Sequence, residues 1–161
     1  MKKLFLLSIV LIFASVTFGQ KVDESQVPEA VKGTFKARFA SVKTATWEKE
    51  DTIYAATFLM DETNTEAEFT EKGTWLNTEW EVPVEYTPQL VKKYLDSAYV
   101  GYKIKELSVT DFPTDGKVYV AEITKKKDCQ EVYFSLAGIF KKAEKEVCEK
   151  GKKKCCKDKK K

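Results

Sequence analysis

The chain of 161 residues contains no histidine. That removes the commonest general base and the commonest metal ligand, and with them a serine or cysteine triad of the usual kind. Glycine and proline are sparse, at 7 and 4 residues, so the few turns they mark carry weight in placing elements. Cysteine is missing from the first 128 residues and then comes four times, as Cys129, Cys148, Cys155 and Cys156. Long apolar runs are missing as well, apart from Leu4 to Phe13. That run follows Lys2 and Lys3 and leads to Thr17 and Gly19, small residues at −3 and −1 of a cleavage point before Gln20. This is the pattern of a signal peptide, residues 1–19. The run falls short of the ~20 residues a membrane-spanning helix needs, and no cysteine follows it to carry a lipid anchor. The expected mature chain is periplasmic or secreted, with no transmembrane anchor.

Charge is divided unevenly. Residues 141–161 hold 11 Lys against 4 acidic residues, a net of +7, while residues 20–140 hold 15 basic against 21 acidic residues, a net of −6. An exported acidic body argues against a nucleic-acid partner. The basic stretch 143–161 reads as a solvated, disordered tail.

What is present is written twice. "VPEAVKGTFKARF" at 27–39 and "TPQLVKKYLDSAY" at 87–99 align at an offset of sixty. Pro28 meets Pro88, Val31 meets Val91, Phe35 meets Leu95 and Phe39 meets Tyr99. Apolar residues at i, i+4 and i+8 are the stripe of an amphipathic helix, and proline suits its first turn. The period then becomes alternating. Strands are expected at 42–49 and 102–109, at "IYAATF" 53–58 and "VYVAEI" 118–123, and in "AEFTEKGTW" 67–75 and "VYFSLAGIF" 132–140, which turn on Gly73 and Gly138. Each copy therefore reads as one helix laid over an antiparallel sheet of four strands. The expected fold class is α+β: two tandem repeats, 27–82 and 87–142, forming one continuous module that pairs edge to edge.

The order of a proline-led helix, a Trp- or Ile-bearing strand, a Tyr-centred strand and an aromatic strand turning on glycine, given twice, resembles the PepSY-like, beta-lactamase-inhibitor-like proteins of bacterial envelopes. That resemblance implies a tandem helix-on-sheet fold, export, no enzymatic activity and no cofactor. It also implies that the chain holds or inhibits another envelope or extracellular protein, whose identity stays open. No inhibitory motif of the family matches here, so no inhibitory residue is carried over. A fold-level likeness does not fix function.

If helices cover one sheet face, the other is the candidate contact surface. Counting alternate residues places Ile53, Ala55, Thr57, Leu59, Glu66 and Glu68 there, then Leu76, Thr78 and Trp80, and Val118, Val120, Glu122 and Tyr133 in the second copy. An apolar surface of this kind marks contacts. The expected partner-binding residues are Trp80, Leu76, Ile53, Leu59 and Tyr133, tryptophan being enriched among binding hot spots; a core position at a strand end is the competing reading for Trp80. The glutamates and aspartate at 48, 50 and 51 read as a solvated hairpin rather than an acid–base pair. A second functional reading rests on the tail. Disulfides there, such as Cys148 with Cys155 or Cys156, suit an exported chain. Thiolate capture of a soft metal by Cys148, Cys155 and Cys156, or redox handling, is the alternative.

Overall fold

The protein is described by a computed structural model covering residues 19–147. Chain order gives strand β1 (Gln20–Val22), helix α1 (Glu29–Arg38), strands β2 (Thr46–Glu50), β3 (Ile53–Met60), β4 (Thr63–Thr70) and β5 (Trp75–Val82), helix α2 (Gln89–Ala98), and strands β6 (Lys103–Phe112), β7 (Gly116–Lys125), β8 (Asp128–Ser135) and β9 (Phe140–Val147). The expected signal segment 1–18 and the tail from Cys148 onward lie outside the described residues.

Both helices form for the same local reasons. Pro28 and Pro88 sit at the N-caps with φ of −56°, a backbone already set for the turn that follows. Val31 and Phe35 in α1, and Val91 and Leu95 in α2, are the buried pairs one turn apart. The helices stop at Phe39 and Tyr99, whose amides still donate to the carbonyls of Phe35 and Leu95 at 2.9 Å. A single 3-10 turn precedes each helix, at Glu24–Gln26 and Val84–Tyr86.

All nine strands join in one antiparallel sheet in sequence order. β5 pairs with β6 from Thr78 opposite Asp111 to Val82 opposite Leu107, so the two halves share one sheet, as the edge-to-edge expectation has it. The sequence expectation of eight strands is corrected at both edges. Gln20–Val22 adds a ninth strand beside β2, and β9 continues to Val147, five residues past the expected border of the tail. Lysines on an edge strand are tolerated because their amines reach water while the backbone pairs inward.

Residues directly opposite in neighbouring strands share a face, which fixes both surfaces of the sheet. One face carries Trp47, Tyr54, Ala56, Phe58, Ala67 and Phe69, packed on Val31 and Phe35. The same face continues through Leu107, Ala121, Ile123, Val132 and Phe134, packed on Val91 and Leu95. Both helices therefore lie on one side. Aromatic edges hold the first core: the ring of Phe35 meets Trp47 and Phe58 at 5.2 Å between centroids, the offset that the ring quadrupoles favour.

Gly73 and Gly138 do the same work in the two halves. Each turns with positive φ, +79° and +77°, directly under a helix start. A β-carbon on Gly73 would stand 2.5 Å from the carbonyl oxygen of Ala30, and one on Gly138 2.9 Å from the β-carbon of Leu90. The hydroxyl of Thr34 donates to the Gly73 carbonyl at 2.8 Å, closing the helix onto the turn. Gly73→Ala is expected to destabilise the fold by about 1–3 kcal/mol, from backbone strain alone and more from the clash. Gly33, within α1, has nothing within 4 Å of where its β-carbon would be. Gly33→Ala is therefore expected to stabilise by about 0.5–1 kcal/mol. Urea denaturation of both variants measures the two shifts, which have opposite signs.

Candidate functional site: the helix-free face of the sheet

The face turned away from the helices is acidic. On β4 and β5 it carries Glu66 opposite Glu79, and Glu68 opposite Asn77, with Glu81 further along β5 opposite Ser108. On the four strands that follow, four glutamates stand in register: Glu106 opposite Glu122, Glu122 opposite Glu131, and Glu131 opposite Glu144. Opposed side chains start about 4.5–5.5 Å apart, where like charges repel.

Specific neighbours relieve that repulsion. Lys105, the extra residue of a bulge between Ile104 and Glu106, reaches Glu122 at 2.6 Å. Lys142 reaches Glu144 at 2.7 Å and lies 4.3 Å from the centre of the Tyr133 ring. The Tyr133 hydroxyl donates to Glu131 and, at 3.4 Å, to Glu144. Asn77 donates to Glu68 at 2.6 Å. Beside the ladder is a small apolar island of Val118, Val120 and Tyr133, with Phe112 packed against it. An open cleft of about 380 Å³ at the β5–β6 junction is lined by Glu62, Asn64, Glu81, Lys105 and Glu106 among others, and extends the acidic surface.

The expected contact residues are not brought together. Ile53 and Leu59 lie on the helix-free face of β3, Leu59 being 69% exposed. Tyr133 lies on the same face five strands away, and it is buried. Trp80 and Thr78 are corrected: they pair with Thr65 and Ala67 and so face the helices. The cause is a bulge. Between Glu68 and Phe69 the register slips, so that Phe69 opposes Trp75 while Glu68 opposes Asn77. Leu76 is the extra residue, and the alternation reverses across it. Trp80 instead has the Lys117 amine 4.9 Å from its ring centre. The expectation of an apolar face is likewise corrected: glutamates dominate it, and its apolar residues are split between Ile53 and Leu59 on β3 and the island on β6–β8.

Cys129 sits on this face of β8, between Thr124 and Glu146 in the neighbouring strands. It is buried and disulfide-bonded. The pairings expected by name, Cys148 with Cys155 or Cys156, did not include it. Cys148, Cys155 and Cys156 lie outside the described residues. Among the described residues no group of three or more metal-capable side chains comes together, and no helix is long and apolar enough to cross a membrane.

Two carboxylates fasten the strands that carry the ladder. Lys141 donates to Asp115 at 3.2 Å, tying β9 to the β6–β7 hairpin, and holds that carboxyl below its ordinary value of 3.8. The Tyr102 hydroxyl donates to Asp128 at the start of β8; the bond holds Asp128 below 3.8 and pushes Tyr102 up from 10.0. Carboxyls with lowered folded values add stability above their ordinary value and lose it as pH falls through the folded one. Acid unfolding monitored from pH 6 to pH 2 is therefore expected to be less steep in Asp115→Asn and Asp128→Asn than in the parent. Equal slopes would remove both contacts from the account.

The family model described as "Putative beta-lactamase-inhibitor-like, PepSY-like" matches residues 17–62 and 53–142. Curated proteins give no match. Among solved structures, a BLIP-like protein from Bacteroides fragilis is similar at 19% identity and a TM-score of 0.64, over 78% of this chain and 92% of that one. A DUF2874 family protein from Bacteroides ovatus is similar at 20% identity and a TM-score of 0.61, over 73% and 86%. A Bacteroides eggerthii protein described as a "putative periplasmic" protein is similar at 16% identity and a TM-score of 0.60, over 74% and 88%. At these identities the structures speak to the fold. With the family model spanning 17–142 between its two matches, the chain belongs to the PepSY-like, beta-lactamase-inhibitor-like family.

Proposed function

We propose that the protein is an exported, non-enzymatic binding module that holds a protein partner in the cell envelope, using the helix-free face of its sheet. Cleavage near Gly19 releases the mature chain to the periplasm or the medium, and residues 27–82 and 87–142 act as two fused copies of one four-stranded unit. The observation that carries the reading is the glutamate ladder Glu106–Glu122–Glu131–Glu144 beside a small apolar island. Ordered side chains of one charge, rimming a desolvated apolar centre, are the anatomy of a protein contact. They select a partner surface rich in lysine or arginine, since complementary charge steers encounter and rejects wrong partners. Family membership and the periplasmic description of a similar structure support the location. Tyr133 is the proposed anchor on this face, with Leu59 and Ile53 at its far margin and Leu76, at the β5 bulge, secondary; Trp80 faces the helices and lies outside this contact.

Capture from native envelope extract, using the mature chain as bait and mass spectrometry as readout, tests this. One partner should be retained from low salt and should fall away at high salt, where screening shortens to about 3 Å at 1 M. Changing Glu106, Glu122, Glu131 and Glu144 together to Gln should weaken capture at least tenfold, about 1.4 kcal/mol, with Trp80→Ala milder. Capture that survives the glutamate changes and is lost with Trp80→Ala would place the contact on the helix side instead.

A further inference from the structure

We propose that the second half of the chain carries a self-association site, the apolar corner formed by Leu90, Leu136, Ala137, Ile139 and Phe140, and that its occupant is a second copy of this chain. Leu90, Leu136 and Ile139 are 59%, 53% and 65% exposed, and Phe140 is 38% exposed. The turn between β8 and β9 holds them together. Gly138 packs under the start of α2, where a β-carbon on it would stand 2.9 Å from that of Leu90. Phe140 stacks on Tyr94 of α2, with ring centres 4.8 Å apart. Large apolar side chains left in water around one turn mark a contact.

The first half shows that the fold does not need them. Its turn closes with the same bonds: the Gly73 amide donates to the Thr70 carbonyl at 2.8 Å, and the Thr70 amide to the Thr74 carbonyl at 2.9 Å. In the second half Gly138 donates to Ser135 and Ser135 to Ile139, both at 2.8 Å. Yet the residues at the equivalent places of the first half are Ala30, Glu71, Lys72, Thr74 and Trp75. There the Arg38 guanidinium lies 3.4 Å over the Trp75 ring, and the second half has Ala98 in place of that arginine. One backbone carries a polar, cation-capped corner in the first half and an apolar corner in the second.

Charge selects the occupant. The corner holds no ionisable side chain. Charged groups of the elements around it are paired within the chain: Lys92 with Asp96 at 3.0 Å, Lys141 with Asp115 at 3.2 Å and Lys142 with Glu144 at 2.7 Å. Lys93, at its border on α2, can lay its stem along apolar surface and keep its amine in water. A two-fold contact sets a patch against itself, so any unbalanced charge in it would face its like; this patch has none. A partner chosen by charge finds nothing to read here, whereas a second copy matches by symmetry. Phe140 lies opposite Phe134, on the helix side, so the contact is separate from the acidic face and does not depend on the proposed partner. A patch of this size is well short of the roughly 20–30 residues a side of a stable interface. The pair is therefore weak, with a dissociation constant on the order of 0.1 mM.

Sedimentation equilibrium of the oxidised mature chain over a concentration series tests this. The weight-average mass should rise from that of one chain toward that of two. The full chain carrying Leu90→Ala, Leu136→Glu, Ala137→Lys and Ile139→Thr takes at each position the residue with which the first half builds the same turn. It should associate at least tenfold more weakly while keeping a cooperative urea transition. Ile139→Thr alone should weaken association less but in the same direction, and decides the matter if the chain with all four changes does not fold. A parent that stays monomeric up to about 1 mM would overturn the proposal. So would association that survives all four changes. A monomeric parent that sediments with vesicles of phosphatidylethanolamine and phosphatidylglycerol, and no longer does so with the four changes, would overturn it as well and give the corner to a lipid surface.

Discussion

Five residue pairs between β5 and β6, from Thr78 with Asp111 to Val82 with Leu107, hold the architecture together. Two small helix-on-sheet units joined by a flexible linker would each expose strand edges, which invite pairing with other chains. Here the last strand of one unit is the neighbour of the first strand of the next, and Pro83 begins the short connection to α2. The joint does more than remove edges. With that register the apolar positions of both halves fall on one face, and both helices pack there. The opposite face then becomes a single surface nine strands wide, and the acidic ladder can cross β6 to β9 without interruption.

The two faces solve different physical problems. On the helix side, Phe69 and Phe134 are fully buried at equivalent places, and Ala56 and Ala121 let the helices approach closely. That burial supplies the stability, through removal of apolar surface from water. The other side spends some of it. Glutamates directly opposed on adjacent strands are a poor choice for a structural surface, and Lys105, Lys142 and Tyr133 are among the groups that offset the repulsion. Surface charges that merely confer solubility are interspersed in sign. A single-sign stripe instead concentrates a negative field over β6 to β9.

The helices, the order of the strands and the glycine turns were legible in the sequence because their signals are local: Pro28 and Pro88, the spacing of Val31 and Phe35, the alternation through Tyr54, Ala56 and Phe58. Gly73 and Gly138 were legible as turns, though only the approach of Ala30 and Leu90 shows why no side chain fits there. What sequence could not give was register. The bulge at Leu76 adds one residue, and that single residue moves Thr78 and Trp80 from the open face to the helix face. The ladder was illegible for the same reason: Glu106, Glu122, Glu131 and Glu144 become neighbours only once four strands are aligned, and the bulge at Lys105 is part of that alignment. β1 and the far end of β9 carry too few apolar residues to announce themselves as strand. Their partners in the sheet make them so.

Carboxylate footprinting of the mature chain in intact cell envelopes tests the central claim, that the helix-free face is the working surface, most directly. Glycinamide coupling at each glutamate would be timed and compared with coupling in the purified mature chain and in the unfolded chain. The account predicts that Glu66, Glu79, Glu122 and Glu131 in the native chain couple many times more slowly than Glu29, Glu71 and Glu85, which lie away from that face. Uniform coupling across both sets would mean that the acidic face stands open to solvent, and would contradict it.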